Sequence, residues 1–479
     1  MSLKELREKL DSKEIGAVEL TQEYLKKIKA ADEKINSYIT VCAETAETAA
    51  KRAQERIDAG NTEAMTGIPL SVKDNICTNG IRTTCASRML EEFAPVYDAT
   101  VMEKLNAQDA VMLGKTNMDE FAMGGSSQTS YFGGVKNPHD LTRVTGGSSG
   151  GAAASVAAGL CAAALGSDTG GSVRQPAAFC GVTGLKPTYG AVSRWGLIAF
   201  ASSLDQIGVL ASSAADTGYV LNTIYGKDKN DATSSAMAKG DYTAKLGMDI
   251  KGLKIGLPKE FFGDGISDEV KKAVLKAAEY YKSLGCELVE CSLPSLEYAV
   301  SAYYLISSAE AASNLSRFDG IKYGFRSGLG EDFNDLISNS RREGFGTEVK
   351  RRIMLGNYAL CSGYYDAYYK NATRIRTQLR KEYADIFEKC DVILTPTAPT
   401  TAYRIGEQEN DPVKMYLADI CTVTVNIAGL PGISTPCGYD ENNMPIGMSL
   451  IGKAFDEQTI IAVCDRFEQD FERKEAQLS

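Results

Sequence analysis

Two glycine/serine clusters, Gly146-Gly147-Ser148-Ser149-Gly150-Gly151 and Gly166-Ser167-Asp168-Thr169-Gly170-Gly171-Ser172, bracket an alanine- and glycine-rich stretch. Glycine permits close approach and unusual backbone angles, so such clusters let N–H groups and hydroxyls converge on one small volume. A second constraint is the single histidine, His139, in 479 residues. A Ser-His-Asp triad would have to use that residue, and so would any histidine metal site. The serines therefore need a base of another kind, and lysine is the obvious candidate.

The apolar pattern alternates between strand and helix periods. Residues 2–31 and 44–58 predict amphipathic helices, 68–72 a strand, 98–107 a helix and 110–113 a strand. Residues 124–151 form a long Gly/Ser/Asn/Pro-rich region, and loops of that length are usually functional. A small-residue helix over 150–160 and strands at 161–165 and 204–210 follow. Farther on, strands are expected at 253–257, 286–291, 392–395, near 433–437 and at 447–451. Helices are expected at 268–284, 297–317, 347–361, 364–389, 414–428 and 457–471. This is an α/β pattern with a mixed sheet covered by helices. No repeat or linker-like segment divides it, which favours one large domain.

The net charge of −10 argues against a broad nucleic-acid-binding face, although a basic partner is compatible with it. The mixed-charge N-terminus has no apolar signal core, and residues 151–166 are too few and too small to span a bilayer, so a cytoplasmic location without membrane contact is expected. Twelve scattered cysteines include no Cys-x-x-Cys pair. They read as reduced, mostly buried thiols, with no metal site.

Three segments carry the chemistry. Ser172 closes a run whose consecutive N–H groups fit an oxyanion pocket, an anion nest or a tight turn. Ser148 or Ser149 could cap the following helix, or could relay a proton between a base and a nucleophile. Lys73, in Gly67-Ile-Pro-Leu-Ser-Val-Lys73-Asp-Asn75, is either a solvated strand-end lysine or a buried one. Burial would lower its pKa and let it accept a proton near neutrality. No Gly-Lys-Ser/Thr ending follows the glycine clusters, which disfavours a nucleotide-binding P-loop.

Taken together, Gly67 to Asn75, Gly146 to Gly151 and Gly166 to Pro176 resemble the amidase signature family of amide hydrolases. The resemblance implies a single α/β domain over 1–479, with a mixed, twisted β-sheet covered on both sides by helices. In it 60–215 carry the catalytic core, 1–59 are N-terminal helices and 216–479 complete the sheet and pocket. It implies a Ser–Ser–Lys triad: Ser172 as nucleophile, Ser148 as bridging serine with a cis peptide bond, and Lys73 as general base and later acid. Thr169, Gly170, Gly171 and Ser172 would supply the oxyanion N–H groups, with Asp168 and Arg174 buttressing the loop.

The C-terminal half is similar to the amidase subunits of tRNA-dependent amidotransferases, through Tyr303 to Phe318, Glu348 to Gly356, Tyr364 to Tyr369, Met415 to Ile420 and Asn426 to Pro431. That similarity implies a glutaminase working in a heterotrimer with the B and C subunits of such an enzyme. Ammonia would pass to the B subunit, which binds the misacylated tRNA and uses ATP and Mg²⁺; no cofactor is expected in this chain. A glutamine pocket needs a cation for the α-carboxylate and an anion for the α-ammonium. Arg352 and Asp419 match those positions, Asp419 on an apolar helix, with Tyr303 as a further pocket residue. One loop departs from the family. Where the family usually reads Met-Gly-Ser-Ser-Thr-Glu-Asn-Ser, this chain has Met123-Gly124-Gly125-Ser126-Ser127-Gln128-Thr129-Ser130, and Thr145 replaces the usual proline. Gly124 and Gln128 are expected to approach the substrate. The alternatives are a stand-alone amidase acting on a small amide, or a scaffold protein that has kept the fold without the activity.

Overall fold

The computed structural model describes residues 1–238, 240–407 and 412–476. Its strands Pro69–Lys73, Val111–Thr116 and Ala163–Asp168 are buried at every position. Such continuous burial marks strands covered on both faces. Accordingly Pro69–Lys73 lies between the other two and runs parallel to both. Among the described residues these strands belong to one mixed sheet of eleven. Its order is Tyr38–Val41, Val111–Thr116, Pro69–Lys73, Ala163–Asp168, Gln206–Ala211, Thr183–Lys186, Gly432–Tyr439, Pro445–Ile451, Val392–Pro396, Lys254–Pro258 and Glu287–Cys291. A second parallel set, Glu287–Cys291, Lys254–Pro258 and Val392–Pro396, closes the far edge.

Helices flank the sheet. The small-residue helix Gly150–Ala157 is buried along almost its whole length and packs on strand Ala163–Asp168. A Cβ at Gly151 would lie 2.4 Å from the Asn117 carbonyl oxygen and 2.5 Å from that of Ser37, so only glycine fits there. This explains the run of small residues: it lets the helix, and the serines that precede it, approach the sheet edge.

Several expected elements differ. The helix expected over 2–31 is two, Leu3–Asp11 and Ala17–Ile35, broken where Lys13 takes a left-handed backbone and Gly16 caps the second helix. The region 124–151 contains a short hairpin, Lys136–Asn137 with Asp140–Val144, whose polar residues give no strand period. Strand Thr183–Lys186 and helices Ala214–Ile224 and Phe333–Gly344 are additions to the expected set; the last buries only Ser340 and Gly344 and so has almost no apolar face to read. The helix expected at 414–428 is two short ones, Pro412–Leu417 and Val423–Ala428. Asp419 therefore sits in the turn between them rather than on an apolar helix. All twelve cysteines are unpaired. Among the described residues no helix is long and apolar enough to cross a membrane, and no cluster of His, Cys, Asp and Glu is placed to hold a metal ion.

Candidate active site

Parallel strands end on the same edge of a sheet. Val72 pairs with Leu165, which puts Lys73, the last residue of its strand, opposite Gly166 and one residue short of Ser167 on the next. The loop that enters helix Gly150–Ala157 crosses the same edge. Lys73 Nζ there donates to Ser148 Oγ at 2.7 Å, Ser149 Oγ at 2.8 Å and Ser167 Oγ at 2.9 Å. Lys73 is fully buried. Burial lowers its pKa to about 7, against the opposing pull of Asp119, Asp168 and Asp205. An amine with that pKa is substantially neutral near pH 7 and can take a proton. The solvated-lysine alternative is thereby excluded.

The Gly147–Ser148 peptide bond is cis. Gln175 Oε1 accepts the Gly147 N–H at 2.9 Å, and the Ser148 carbonyl accepts the Asp119 N–H at 3.2 Å. Ser149 makes no side-chain cap to its helix; its hydroxyl donates to the Ser167 carbonyl at 3.1 Å instead. Ser172 is nearly buried, and its carbonyl accepts the Ser149 N–H at 3.1 Å, tying the two clusters together. Its hydroxyl makes no hydrogen bond among the described residues.

The loop before Ser172 is built around a buried ion pair. Asp168 accepts from Arg174 Nε and Nη2, both at 3.1 Å, and from Asn426 Nδ2 at 2.8 Å. It also accepts the Gly171 N–H at 2.8 Å and the Val173 N–H at 3.1 Å. Burial pushes Asp168 up, but the charge and bonds of Arg174 outweigh it and hold the carboxyl well below the usual range. Of the four expected oxyanion donors, Gly171 has therefore given its N–H to Asp168. Those of Thr169, Gly170 and Ser172 have no partner among the described residues. The loop follows from Gly171, whose φ of 135° and contact with Thr422 Oγ1 leave no room for a Cβ. Thr169 is anchored by its hydroxyl on Asp205 at 2.7 Å. Consecutive N–H groups of this kind bind developing negative charge.

The remaining candidates divide. The Tyr303 ring lies against Gly170, where a Cβ would be 2.4 Å from its Cζ. Arg352, on helix Thr347–Leu360, is buried, and its guanidinium lies 4.4 Å from the Tyr304 ring centre and 4.8 Å from that of Tyr416. Tyr304 donates its hydroxyl to Asp419 at 2.7 Å. Burial raises Asp419 to about 7, opposed by that hydrogen bond and by Arg352. Gly125 faces this carboxylate: a Cβ there would lie 3.8 Å from Asp419 Oδ1 and 3.5 Å from Gln175 Nε2. Gly124 instead packs on Asp119, and Gln128 spends its amide on the Val135 carbonyl at 2.8 Å while lining a neighbouring cleft of about 420 Å³. His139 bonds to the Cys180 carbonyl.

Glu348, Tyr304, Tyr416, Gln175 and Asp205 also belong to this constellation, and sequence reasoning misses all five. Tyr304 is within its reach, being the neighbour of Tyr303. Tyr416, Gln175 and Asp205 contribute through residues far away in the chain, and Glu348, though three and four residues from Arg351 and Arg352, looks like any solvated helix position in the sequence.

The site holds the parts that acyl transfer needs: a serine hydroxyl at Ser172, a poised amine in contact with a second serine, Ser148, and open N–H donors. The amidase family model matches residues 19–461. The A subunit of glutamyl-tRNA(Gln) amidotransferase from Thermoanaerobacter pseudethanolicus is 56% identical over 469 residues, 98% of this chain and 96% of that protein. The protein of the same name from Bacillus cereus is 52% identical over 479 residues, 100% of this chain and 99% of its own. The crystal structure of the corresponding Thermotoga maritima protein superposes with a TM-score of 0.80 at 39% identity, covering 98% of this chain and 94% of that one. With a lysine in place of histidine at its centre, and with similarity along its whole length, the chain belongs to the amidase family.

Proposed function

We propose that this chain is the glutaminase component of a tRNA-dependent amidotransferase, releasing ammonia from glutamine for the conversion of glutamyl-tRNA(Gln) to glutaminyl-tRNA(Gln). The observation that carries the chemistry is the contact of Lys73 Nζ with Ser148 Oγ at 2.7 Å in a fully buried site. Full-length similarity to proteins that bear the name of an amidotransferase's A subunit supports the choice of substrate.

Neutral Lys73 takes the Ser148 proton while Ser148 takes that of Ser172, whose Oγ attacks the side-chain amide carbon of glutamine. The N–H groups of Thr169, Gly170 and Ser172 hold the tetrahedral oxyanion. Protonated Lys73 returns its proton through Ser148 to the leaving nitrogen. The C–N bond breaks and ammonia departs, leaving a glutamyl ester on Ser172. Water, activated by the same relay, cleaves the ester and releases glutamate. Arg352 receives the α-carboxylate and ionised Asp419 the α-ammonium.

Ammonia then serves a partner protein that binds the misacylated tRNA and consumes ATP and Mg²⁺, with a third chain completing the assembly in the cytoplasm. The chain works as one domain, since residues from 38 to 451 contribute strands to the same sheet. The test is ammonia release from glutamine by the chain alone, and then with its partner proteins, misacylated tRNA and ATP. Strong stimulation by the complete system is expected. High activity indifferent to partners would return the chain to the stand-alone amidases.

A further inference from the structure

Glu348 is buried, accepts hydrogen bonds from two arginines and a tyrosine, and has no part in the mechanism above. It precedes Arg352 by four residues on helix Thr347–Leu360, so both project from the same face. Its Oε1 accepts from Arg352 Nε at 2.6 Å and from the Tyr416 hydroxyl at 2.9 Å. Its Oε2 pairs with Arg351 Nη1. The Tyr416 ring stacks on Tyr304 at 4.0 Å, and Tyr304 donates to Asp419. The two stacked rings therefore join the carboxylate behind Arg352 to the carboxylate facing Gly125, with the guanidinium lying against both.

We propose that Glu348 is the positioning residue that presents Arg352 to a substrate carboxylate, and that Arg351, Glu348 and Arg352 together set the charge of that subsite. The proposal rests on the reading of Arg352 as the α-carboxylate partner. Glu348 engages the Nε edge of the guanidinium, which directs the terminal nitrogens of the fork away from the helix for bidentate use. Its single negative charge is shared by two arginines, so the triad retains one positive charge. Asp419 adds one negative charge when ionised. The subsite as a whole is then neutral and complementary to a zwitterionic α-amino acid. A buried arginine held in place in this way binds without losing rotamer freedom at the moment of contact.

The test compares turnover of glutamine with turnover of propionamide, an amide lacking both α-groups, by the full chain assembled with its partner proteins. Glu348→Ala is expected to raise KM for glutamine at least tenfold with kcat within about threefold, and to leave propionamide turnover within about twofold. Glu348→Gln, which keeps an acceptor for Arg352 Nε and Tyr416, is expected to recover most of the KM. Arg351→Ala, a change at a half-exposed side chain that spares the fold, removes the spare positive charge and should raise the glutamine KM several-fold without touching propionamide. An unchanged glutamine KM in Glu348→Ala and Arg351→Ala, or equal losses on both amides in all three variants, overturns the assignment. A parental enzyme that turns over propionamide but not glutamine overturns the underlying reading as well.

Discussion

Lys73 Nζ lies 2.7 Å from Ser148 Oγ, at the end of a strand buried on both faces. Burial makes a base out of a residue that is ordinarily a cation, and the contact aims it at Ser148. Burial brings Lys73 to about 7 and Asp419 to about 7 as well. Lys73 must lose its proton to act as base, and Asp419 must lose its proton to bind an ammonium. The kcat/KM for glutamine should therefore rise with pH through 7, with a limiting slope of about two on the acid side. Asp419→Asn should reduce that slope to about one and lower kcat/KM. A slope of one in the parental enzyme would remove one of the two groups.

The depressed pKa of Lys73 also sets a stability trend. Between about 7 and its ordinary value of 10.5 the unfolded chain holds a proton on this lysine that the folded chain does not. Stability therefore rises with pH across that window, and the cost of burying the amine is fully present below about 7. Relative to Lys73→Met, the parental protein should gain about 1.4 kcal/mol per pH unit within the window. Denaturant unfolding of both proteins from about pH 7 to about pH 9.5 measures this. Parallel curves would mean that Lys73 titrates normally.

Asp168 and Arg174 are both fully buried, and their pairing shapes the loop that carries Ser172. Asp168→Asn leaves the guanidinium without its counter-charge, and breaking a buried pair in this way costs about 3–5 kcal/mol. Urea unfolding should show a loss of that order together with a fall in kcat, because the Gly171 and Val173 N–H bonds weaken too. A loss under about 1 kcal/mol would show that Asn426 alone can hold the loop.

The proposed catalytic centre is legible in the sequence because its members sit in short contiguous segments, two of them rich in glycine and serine. Lys73 touches Ser148, a backbone bond from Ser149 ties that segment to Ser172, and the shortage of histidine already points to lysine. The carboxylate end of the pocket is legible only through family resemblance. Asp419 is expected on a helix because 414–428 is largely apolar around it, but Thr422 turns its hydroxyl to the Gly170 carbonyl in the bend between two short helices. Glu348 gives no signal, since a Glu followed four residues later by Arg describes many solvated helix faces. Its partner Tyr416 lies 68 residues away. Gly171 looks like its neighbours in the oxyanion run, and only the fold shows Asp168 taking its N–H.

The altered loop offers a gain-of-contact test. A side chain at Gly125 would point between Gln175 Nε2, a buried donor with no partner among the described residues, and Asp419 Oδ1. Gly125→Ser, the residue usual in the family, places a hydroxyl within reach of both. Satisfying the amide should stabilise the protein by up to about 1 kcal/mol, and thermal unfolding should show a modest rise in Tm. A lowered Tm would mean that the loop cannot accommodate the hydroxyl.

The most direct test of a lysine-activated Ser172 is covalent labelling with a fluorophosphonate probe, followed by peptide mass mapping. The expected result is one adduct, on Ser172, absent in Ser172→Ala and formed at least about 100-fold more slowly in Lys73→Ala, a loss of about 3 kcal/mol in activation. An adduct on another residue, or labelling of Lys73→Ala at the parental rate, would contradict it.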